Sequence, residues 1–231
     1  MTTACPYPPS HPAFWRAYWV TLRPYLFFVS GSSGLVGLAL GERIAPALLF
    51  VVFLAFSACY GLGQALTDVF QTDTDALSSP YRPLVRGEIA KRDVLAVSLA
   101  GLAACTALFA ALSPFTLVPG GAAVLGLLAY TSAKRRFWAG PLWNDWIVGL
   151  LPAMGLLCSS PSASAALATP GLAWAVAATV LGLAWVQAGA WRSAEPRPLP
   201  PLRRPRLGVL VGAMFVVLIF FQLVLRRGIA F

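Results

Sequence analysis

Charged residues are scarce in this sequence of 231 residues. They make up 11% of the chain, whereas 58% of the residues are hydrophobic and the mean hydropathy is +0.75. A water-soluble domain carries about 25% charged residues, so this composition excludes most soluble folds. It also excludes an intrinsically disordered chain, because disorder requires low hydrophobicity and high net charge. The composition predicts a protein whose helices lie in a lipid bilayer.

Histidine and paired cysteines are also lacking. The single histidine, His11, stands in the N-terminal segment, so the body of the chain has no histidine metal site and no histidine-containing catalytic pair. The cysteines show neither a CxxC motif nor the spacing of zinc ligands, and we interpret them as small apolar residues rather than as disulfides or metal ligands. They are Cys5, Cys59, Cys105 and Cys158.

Seven segments are apolar over the length that crosses a membrane, about 20 residues. They predict an all-α, polytopic membrane bundle of about seven transmembrane helices. These helices form a single domain over residues 15–231, behind a cytoplasmic tail at 1–14. The approximate bounds of the segments are 24–41, 45–66, 94–113, 115–133, 143–160, 170–190 and 207–225.

Basic residues concentrate on one side of these segments. Most of the 17 lysines and arginines fall before the first segment, as Arg16 and Arg23, and in loops at about 67–93, 134–142 and 191–206. Because such residues concentrate in cytoplasmic loops, the N-terminus and these loops are predicted to be cytoplasmic, in a multi-pass protein of the cell membrane. The same rule accounts for the net charge of +9, so we expect no nucleic-acid partner. Residues 1–14 are polar and proline-rich and predict no cleavable signal peptide.

The acidic residues avoid the centres of the predicted spans, which argues against a proton-coupled transporter or channel. Three of them follow the second span. If the second helix continues at about 100° per residue, two carboxylates and two carboxamides share an arc of about 60°, and Asp73 points away. Such oxygens suit Mg²⁺, although a solvated polar helix end is the alternative. The four residues of this face are Gln64, Asp68, Gln71 and Asp75.

Basic residues flank this acidic face. Arg82 lies between two prolines, which stiffen the turn and would hold its side chain near a bound anion. Lys134 and Arg135 follow Tyr130 at the end of the fourth span. Lysine and arginine together suit a polyphosphate, one as a compact charge and the other as a planar fork. The alternative is that these bases only set the membrane orientation.

Together these motifs resemble the signatures of the UbiA superfamily of intramembrane prenyltransferases, over about residues 15–190. The first signature reads N-D-x-x-D-x-x-x-D followed by Pro-x-Arg-Pro-Leu/Ile, and the second element reads Y-x-x-x-K-R. The resemblance implies Mg²⁺-dependent transfer of a prenyl group from a prenyl diphosphate to a lipophilic, often aromatic, acceptor within the membrane. Relatives that cyclise the prenyl chain are an alternative. The matching residues are Asp68, Asp75, Pro80-Tyr81-Arg82-Pro83-Leu84, Gly87-Glu88-Ile89, Tyr130 and Lys134-Arg135.

The resemblance also implies roles for individual residues. Asp68 and Asp75 would bind Mg²⁺ and, together with Arg82 and Lys134, form the catalytic set. Asn144, in the adjacent cytoplasmic segment, is a further polar contact, with helix capping as its alternative role. The predicted substrate-binding positions are Gln64, Thr67, Gln71, Arg82, Tyr130, Lys134, Arg135 and Asn144.

The sequence departs from the superfamily pattern in three respects. Thr67 replaces the asparagine of the first signature, and Gln71 replaces its middle aspartate. The second Asp-rich motif, expected after the sixth helix, is represented only by Glu195. Seven spans are predicted where the superfamily usually has nine. These departures leave open a membrane protein that has lost catalysis and binds a lipid or a protein partner.

Overall fold

The computed structural model describes residues 6–42, 44–134, 140–160 and 162–192. Over these ranges the chain is helical, with short 3₁₀ turns at Pro24–Leu26 and Pro114–Thr116 and without a β-sheet. This confirms the predicted all-α fold. The α-helices of these ranges are α1 (Pro12–Leu22), α2 (Phe27–Leu40), α3 (Pro46–Phe70), α4 (Thr72–Ser78), α5 (Lys91–Leu112), α6 (Leu117–Lys134), α7 (Gly140–Ser159), α8 (Ala163–Leu167) and α9 (Gly171–Arg192).

Six of the predicted spans correspond to α2, α3, α5, α6, α7 and α9. The seventh, at 207–225, lies outside the described residues, and α1, α4 and α8 are helices that the sequence analysis did not predict. Within the described ranges, Pro46–Phe70 and Lys91–Leu112 are long and apolar enough to cross a membrane. Pro114–Tyr130 and Gly171–Trp185 are shorter apolar helical stretches.

Small residues allow α2 and α7 to pack closely. A Cβ atom at Gly37 would lie 1.8 Å from the Pro152 carbonyl oxygen, and one at Gly155 would lie 1.9 Å from the Gly34 carbonyl oxygen. The Ser159 hydroxyl donates to a backbone carbonyl of α2 at 2.9 Å. Such close backbone approach is typical of small-residue packing between membrane helices. The α2–α7 pair forms a closely packed wall against which α3, α6 and α9 pack.

The N-terminal helix α1 packs across the end of α3. His11 caps α1 by accepting a hydrogen bond from the Ala13 amide at 3.1 Å. Phe14 and Tyr18 are buried against α3 and the loop that precedes α5. The Tyr18 hydroxyl is also hydrogen-bonded to the Ser98 hydroxyl of α5 at 2.9 Å. These contacts fix the turn between α1 and α2 beside the end of α3.

Candidate active site

The acidic segment after the second predicted span forms two helices rather than one. α3 ends at Phe70, Gln71 has non-helical backbone angles (φ −119°, ψ 14°), and α4 begins at Thr72. The second helix therefore does not continue through Asp75, which was the condition for one shared face, and the loop predicted at 67–93 is partly helical. Threonine and aspartate, which have low helix propensity, follow the break. The Thr74 hydroxyl donates to the Gln71 carbonyl at 2.9 Å and holds the bend.

The bend still brings the acidic residues into the protein interior. Asp68 at the end of α3 is 2% exposed, Asp75 in α4 is 1% exposed, and Gln71 between them is 3% exposed. Asp73 is exposed, so it points away from the interior as the sequence analysis expected. Two buried carboxylates of like charge repel each other unless a cation lies close to both.

Arg82 supplies that cation. Its Nη1 atom donates to Asp68 Oδ1 at 3.1 Å and also contacts Asp75 Oδ2. The turn that carries it is held by a hydrogen bond from the Arg82 amide to the Ser79 carbonyl at 3.1 Å. Gly87 closes the same loop with a φ of 71°, in the left-handed region that favours glycine. A single cationic atom therefore contacts both carboxylates, which arranges their oxygens around one centre.

Arg23 completes this group of charges, and the sequence analysis did not identify it as a site residue. Its Nη2 atom is 2.5 Å from Asp68 Oδ1, and its Nη1 atom donates to Gln64 Oε1. Within the described ranges Arg23 is the only non-glycine residue with a positive φ, at 56°. Such a backbone conformation costs on the order of 1–3 kcal/mol and persists where surrounding contacts enforce it. One feature of the sequence could have indicated its special position. Arg23 directly precedes Pro24, and helices usually end at the residue before a proline.

Electrostatics keep Arg23 charged despite its half-buried position. Burial lowers the pKa of Arg23, but the Asp68 carboxylate and nearby tyrosines raise it, and the resulting pKa lies above the ordinary arginine value. We refer to Arg23, Asp68, Asp75 and Arg82 as the charge cluster. Its arginine side chains are 17% and 18% exposed, and its aspartate side chains are 3% and 2% exposed. Removing one member of such a buried ion pair costs about 3–5 kcal/mol, because the remaining charge is left uncompensated.

An apolar cavity of about 760 Å³ begins next to the charge cluster and runs between α3, α5, α6 and α7. Gln64, which bonds Arg23, lines the cavity together with Tyr60 and Asn144. The remaining lining is mostly aliphatic and aromatic, and it includes Phe56 and Phe109, whose ring centroids are 4.6 Å apart. The volume is in the range of pockets that enclose small-molecule ligands.

The cavity also opens on the side of the bundle, between α5 and α6. Leu99 of α5 and both Leu125 and Leu128 of α6 line the cavity, yet they are 51%, 69% and 63% exposed. An opening lined by leucine side chains is suited to apolar molecules, because contact with water gives these surfaces no favourable interaction. Lipophilic compounds therefore have a path from the surroundings of the bundle to the cavity.

Two other predicted site residues lie near the charge cluster but differ in what they contact. Tyr130 is half-buried and close enough to interact with the charges of Arg23 and Asp68. The Thr67 hydroxyl instead donates to the Gln64 carbonyl of its own helix at 2.9 Å. Thr67 therefore uses its hydroxyl within α3, although it occupies the position of the asparagine in the superfamily signature.

Three predicted positions fall outside what the structure describes. The backbone of α6 continues to Lys134 and that of α9 continues to Arg192. The positions outside the described part are the side chain of Lys134 and the residues Arg135 and Glu195.

The charge cluster fits one hard divalent cation. In the ranges with described side chains, no group of three or more histidine, cysteine, aspartate or glutamate residues is arranged to hold a metal ion. Asp68 and Asp75 nevertheless present two carboxylates around a point that the Arg82 Nη1 atom already contacts. Proteins typically bind Mg²⁺ through one or two carboxylates, with phosphates and water as further ligands. This donor set therefore suits a metal ion that binds together with a diphosphate.

Residues 26–226 match the model of the UbiA prenyltransferase family. The chain belongs to this family. The matched range contains the acidic segment and all the helices that line the cavity, so the superfamily resemblance seen in the motifs is confirmed over most of the chain.

Curated UbiA relatives match shorter segments. The digeranylgeranylglyceryl phosphate synthase of Natronomonas pharaonis is 28% identical over 49% of this chain and 42% of its own length. The synthase of the same name from Thermococcus gammatolerans is 34% identical over 36% of this chain and 31% of its own length. The protoheme IX farnesyltransferase of Geobacter sulfurreducens is 32% identical over 51% of this chain and 44% of its own length. The chain thus covers less than half the length of these relatives.

A solved structure supports the UbiA fold over a larger part of the chain. It comes from work on digeranylgeranylglyceryl phosphate synthase in membranes, and it superposes with a TM-score of 0.62 at 16% sequence identity. The superposition covers 92% of this chain and 77% of the other. At this identity the similarity shows that the helices share an arrangement.

Proposed function

We propose that this UbiA family protein transfers a prenyl group from a prenyl diphosphate to a lipophilic acceptor within the membrane, with Mg²⁺ bound at Asp68 and Asp75. The observation that carries the proposal is the position of Arg82, which contacts both carboxylates next to an apolar cavity. A charged centre beside an apolar cavity matches the two parts of a prenyl diphosphate. The names of the curated relatives, which include a farnesyltransferase, support the same class of reaction.

The arginines of the charge cluster are suited to binding the diphosphate. Arginine donates pairs of parallel hydrogen bonds to phosphate oxygens, and both Arg23 and Arg82 point their guanidiniums at Asp68. A diphosphate that enters the cluster therefore comes within reach of two fixed positive charges. When bound at Asp68 and Asp75, a divalent metal ion supplies further positive charge against the leaving diphosphate. Such preorganised charge is usually the largest contribution to catalysis.

The cavity is suited to the prenyl chain. The Gln64 side chain marks the boundary between charge cluster and cavity, so the allylic carbon would lie near Gln64 and Tyr60. An allylic cation must meet its acceptor before it meets water, and the apolar walls exclude water from that position. The opening between α5 and α6 gives the acceptor a route from the bilayer.

The acceptor class and the membrane orientation are further parts of this proposal. An aromatic acceptor is the first class to test, because an electron-rich ring carbon attacks an allylic cation directly. The curated relatives carry names with different products, digeranylgeranylglyceryl phosphate for one and a farnesylated protoheme IX for another. The distribution of lysine and arginine supports a position of the charge cluster at the cytoplasmic face of a multi-pass membrane protein.

A reconstitution assay tests the proposed function. Purified protein in detergent is incubated with prenyl diphosphates of increasing length, with and without lipophilic aromatic acceptors, in Mg²⁺ or in excess EDTA. We expect diphosphate release that requires both Mg²⁺ and an acceptor, with the prenylated acceptor as product. Release that is independent of an acceptor, with a cyclic terpene as product, would show cyclisation instead. An absence of turnover across the panel would contradict the proposal.

A further inference from the structure

Two cysteines of neighbouring helices face each other beside the cavity, Cys59 of α3 and Cys105 of α5. We infer that they form a redox-active dithiol site, which a lipophilic two-electron oxidant converts into a disulfide that joins α3 to α5. This inference does not rest on the proposed function, because it needs only the packing of the two helices and the access that the cavity provides. The cysteines lie far apart in the sequence, so only the packing reveals the pair.

The register of α3 and α5 places the two cysteines opposite each other, between two other contacts of these helices. On one side the ring centroids of Phe56 and Phe109 are 4.6 Å apart, and on the other a Cβ at Gly101 would lie 2.8 Å from Leu62 Cδ1. The cysteine of α3 is three residues from both Phe56 and Leu62. The cysteine of α5 is four residues from both Gly101 and Phe109. Residues three or four apart share one face of a helix, so both cysteines lie on the facing sides of α3 and α5.

The two thiols are within reach of each other. Cys59 and Cys105 are close enough to interact through their thiols, and both are free thiols in the structure. A disulfide also requires the two backbones to approach closely. Gly101, one turn from Cys105, allows this approach, because a Cβ atom there would overlap the Leu62 side chain. The pair is therefore a reduced dithiol that can close into a disulfide without a large movement of either helix.

The cavity gives apolar reagents access to this pair. Cys59 lines the cavity, and so do Leu102 and Thr106, which stand on either side of Cys105 along α5. Both cysteines are partly exposed rather than fully buried. The cavity opens on the side of the bundle beside Leu99 of the same helix, which is 51% exposed. Lipophilic oxidants should therefore reach the dithiol more readily than water-soluble ones, because the walls of this path are apolar.

The reaction balances with a quinone as the oxidant. Both S–H bonds break and one S–S bond forms, and the two electrons and two protons that are released reduce the quinone to its hydroquinone. A dithiol such as dithiothreitol reverses the step by thiol–disulfide exchange. The bond would tie α3 to α5, and a cross-link between segments far apart in the sequence stabilises a fold by constraining the unfolded chain.

Cys158 of α7 provides a control within the same protein. It is a cysteine of another apolar helix, but it is 7% exposed and does not line the cavity. Cys5 lies outside the described residues, so alanine replaces it in every protein of the test. The Cys5→Ala protein keeps three cysteines, of which only Cys59 and Cys105 are expected to pair.

The test treats this protein in detergent with duroquinone, whose four ring methyl groups disfavour thiol addition, with hydrogen peroxide, or with neither. Differential alkylation and mass spectrometry then identify the disulfides. We expect duroquinone to form the Cys59–Cys105 disulfide at least about 10-fold faster than an equal concentration of peroxide, and dithiothreitol to restore both thiols. Cys158 should remain a thiol. Oxidation should raise the unfolding temperature by at least about 4 °C, and further substitution of Cys59→Ala or Cys105→Ala should abolish this shift.

The outcomes decide the inference separately from the proposed function. A lack of the Cys59–Cys105 disulfide under both oxidants, or a disulfide of Cys158 as the main product, would overturn the inference. Faster oxidation by peroxide than by duroquinone would overturn access through the cavity. If an alanine variant does not fold, phenylarsine oxide, which bridges two neighbouring thiols, takes its place as the probe. One bound arsenic per protein that blocks alkylation of both cysteines would support the dithiol, and failure to bind would overturn it. The disulfide in a protein that turns over no prenyl diphosphate would contradict only the proposed function.

Discussion

The charge cluster and the cavity below it are held together by different kinds of contact. In the charge cluster, Arg23 and Arg82 are each fixed to Asp68 by directional ion pairs, and Arg82 also contacts Asp75. In the cavity walls, apolar side chains pack without directional partners, and a glycine such as Gly121 leaves open space. An ion pair loses most of its stabilising energy when one charged atom is removed. The stability of apolar packing instead changes gradually with the volume of the side chains.

The difference indicates what each region contributes to function. A cluster of fixed charges suits a chemical group that never changes, such as a diphosphate. A cavity with adjustable volume suits the part of the substrate that varies among relatives, such as chain length. Substitutions should therefore act on turnover of every substrate in the charge cluster and on substrate preference in the cavity.

The largest effect is expected for Asp75→Asn. Loss of one carboxylate removes a proposed metal ligand and an Arg82 partner, so turnover with any prenyl diphosphate should fall by about 10³-fold. Asp73→Asn changes an exposed residue of the same helix and should stay within about 2-fold of wild type. Steady-state assays of diphosphate release measure both. Retention of wild-type turnover by Asp75→Asn would show that the charge cluster is structural only.

Arg82→Lys should lower kcat/KM by about 100-fold, because lysine keeps the charge but lacks the additional guanidinium nitrogens that would donate to a phosphate while Nη1 contacts both carboxylates. Arg86→Lys is the matched control, since the Arg86 side chain is 61% exposed and pairs with Glu88. The loss should be the same for short and long prenyl chains. A loss confined to long chains would contradict the assignment of Arg82 to the head of the substrate.

Gly155→Ala tests the packing that holds both regions. Its methyl group would lie 1.9 Å from the Gly34 carbonyl oxygen, so α2 and α7 must separate, at an expected cost of about 2 kcal/mol in unfolding free energy. Gly182→Ala, with open space at its Cβ, should be neutral or stabilising, because alanine favours helices. Thermal unfolding in detergent compares the two variants. Equal stability would show that the α2–α7 wall is not tightly packed.

The smallest of these effects is expected for Arg23→Lys, at about 10-fold in kcat/KM. Lysine preserves the charge near Asp68 but cannot contact Asp68 and Gln64 together in the way the guanidinium does. Arg16→Lys, on the exposed face of α1, is the control and should have no effect. If both variants had the kcat/KM of the wild type, Arg23 would not belong to the functional part of the charge cluster.

The charge cluster was more accessible from sequence than the cavity. The sequence analysis put Asp68 and Asp75 on one polar face and Arg82 near a bound anion, and in the structure Arg82 contacts both carboxylates directly. The bend at Gln71 was missed, since helix propensity along a threonine- and aspartate-rich segment gives little indication of where a helix breaks. Arg23 was missed because its contacts depend on how α1 packs across α3.

The residues that line the cavity could not be predicted from the sequence. Leucine and glycine occur in membrane helices at positions that face lipid, a neighbouring helix or an internal space. The residue type therefore does not indicate which of these surroundings a position has. Gly121 and Gly155 illustrate this, since both are helical glycines of apolar segments. A Cβ at Gly121 would have no heavy atom within 4 Å, whereas a Cβ at Gly155 would clash with the Gly34 carbonyl oxygen at 1.9 Å. Only the arrangement of the helices separates these cases.

The most direct test of the account is the Mg²⁺ dependence of farnesyl thiolodiphosphate binding, measured by isothermal titration calorimetry in wild type and in Asp68→Asn. The account predicts that saturating Mg²⁺ tightens binding to the wild type by about 100-fold and leaves binding to Asp68→Asn nearly unchanged. Equal tightening in both proteins, or tight binding to the wild type in EDTA, would contradict the assignment of Asp68 and Asp75 as the metal and diphosphate site.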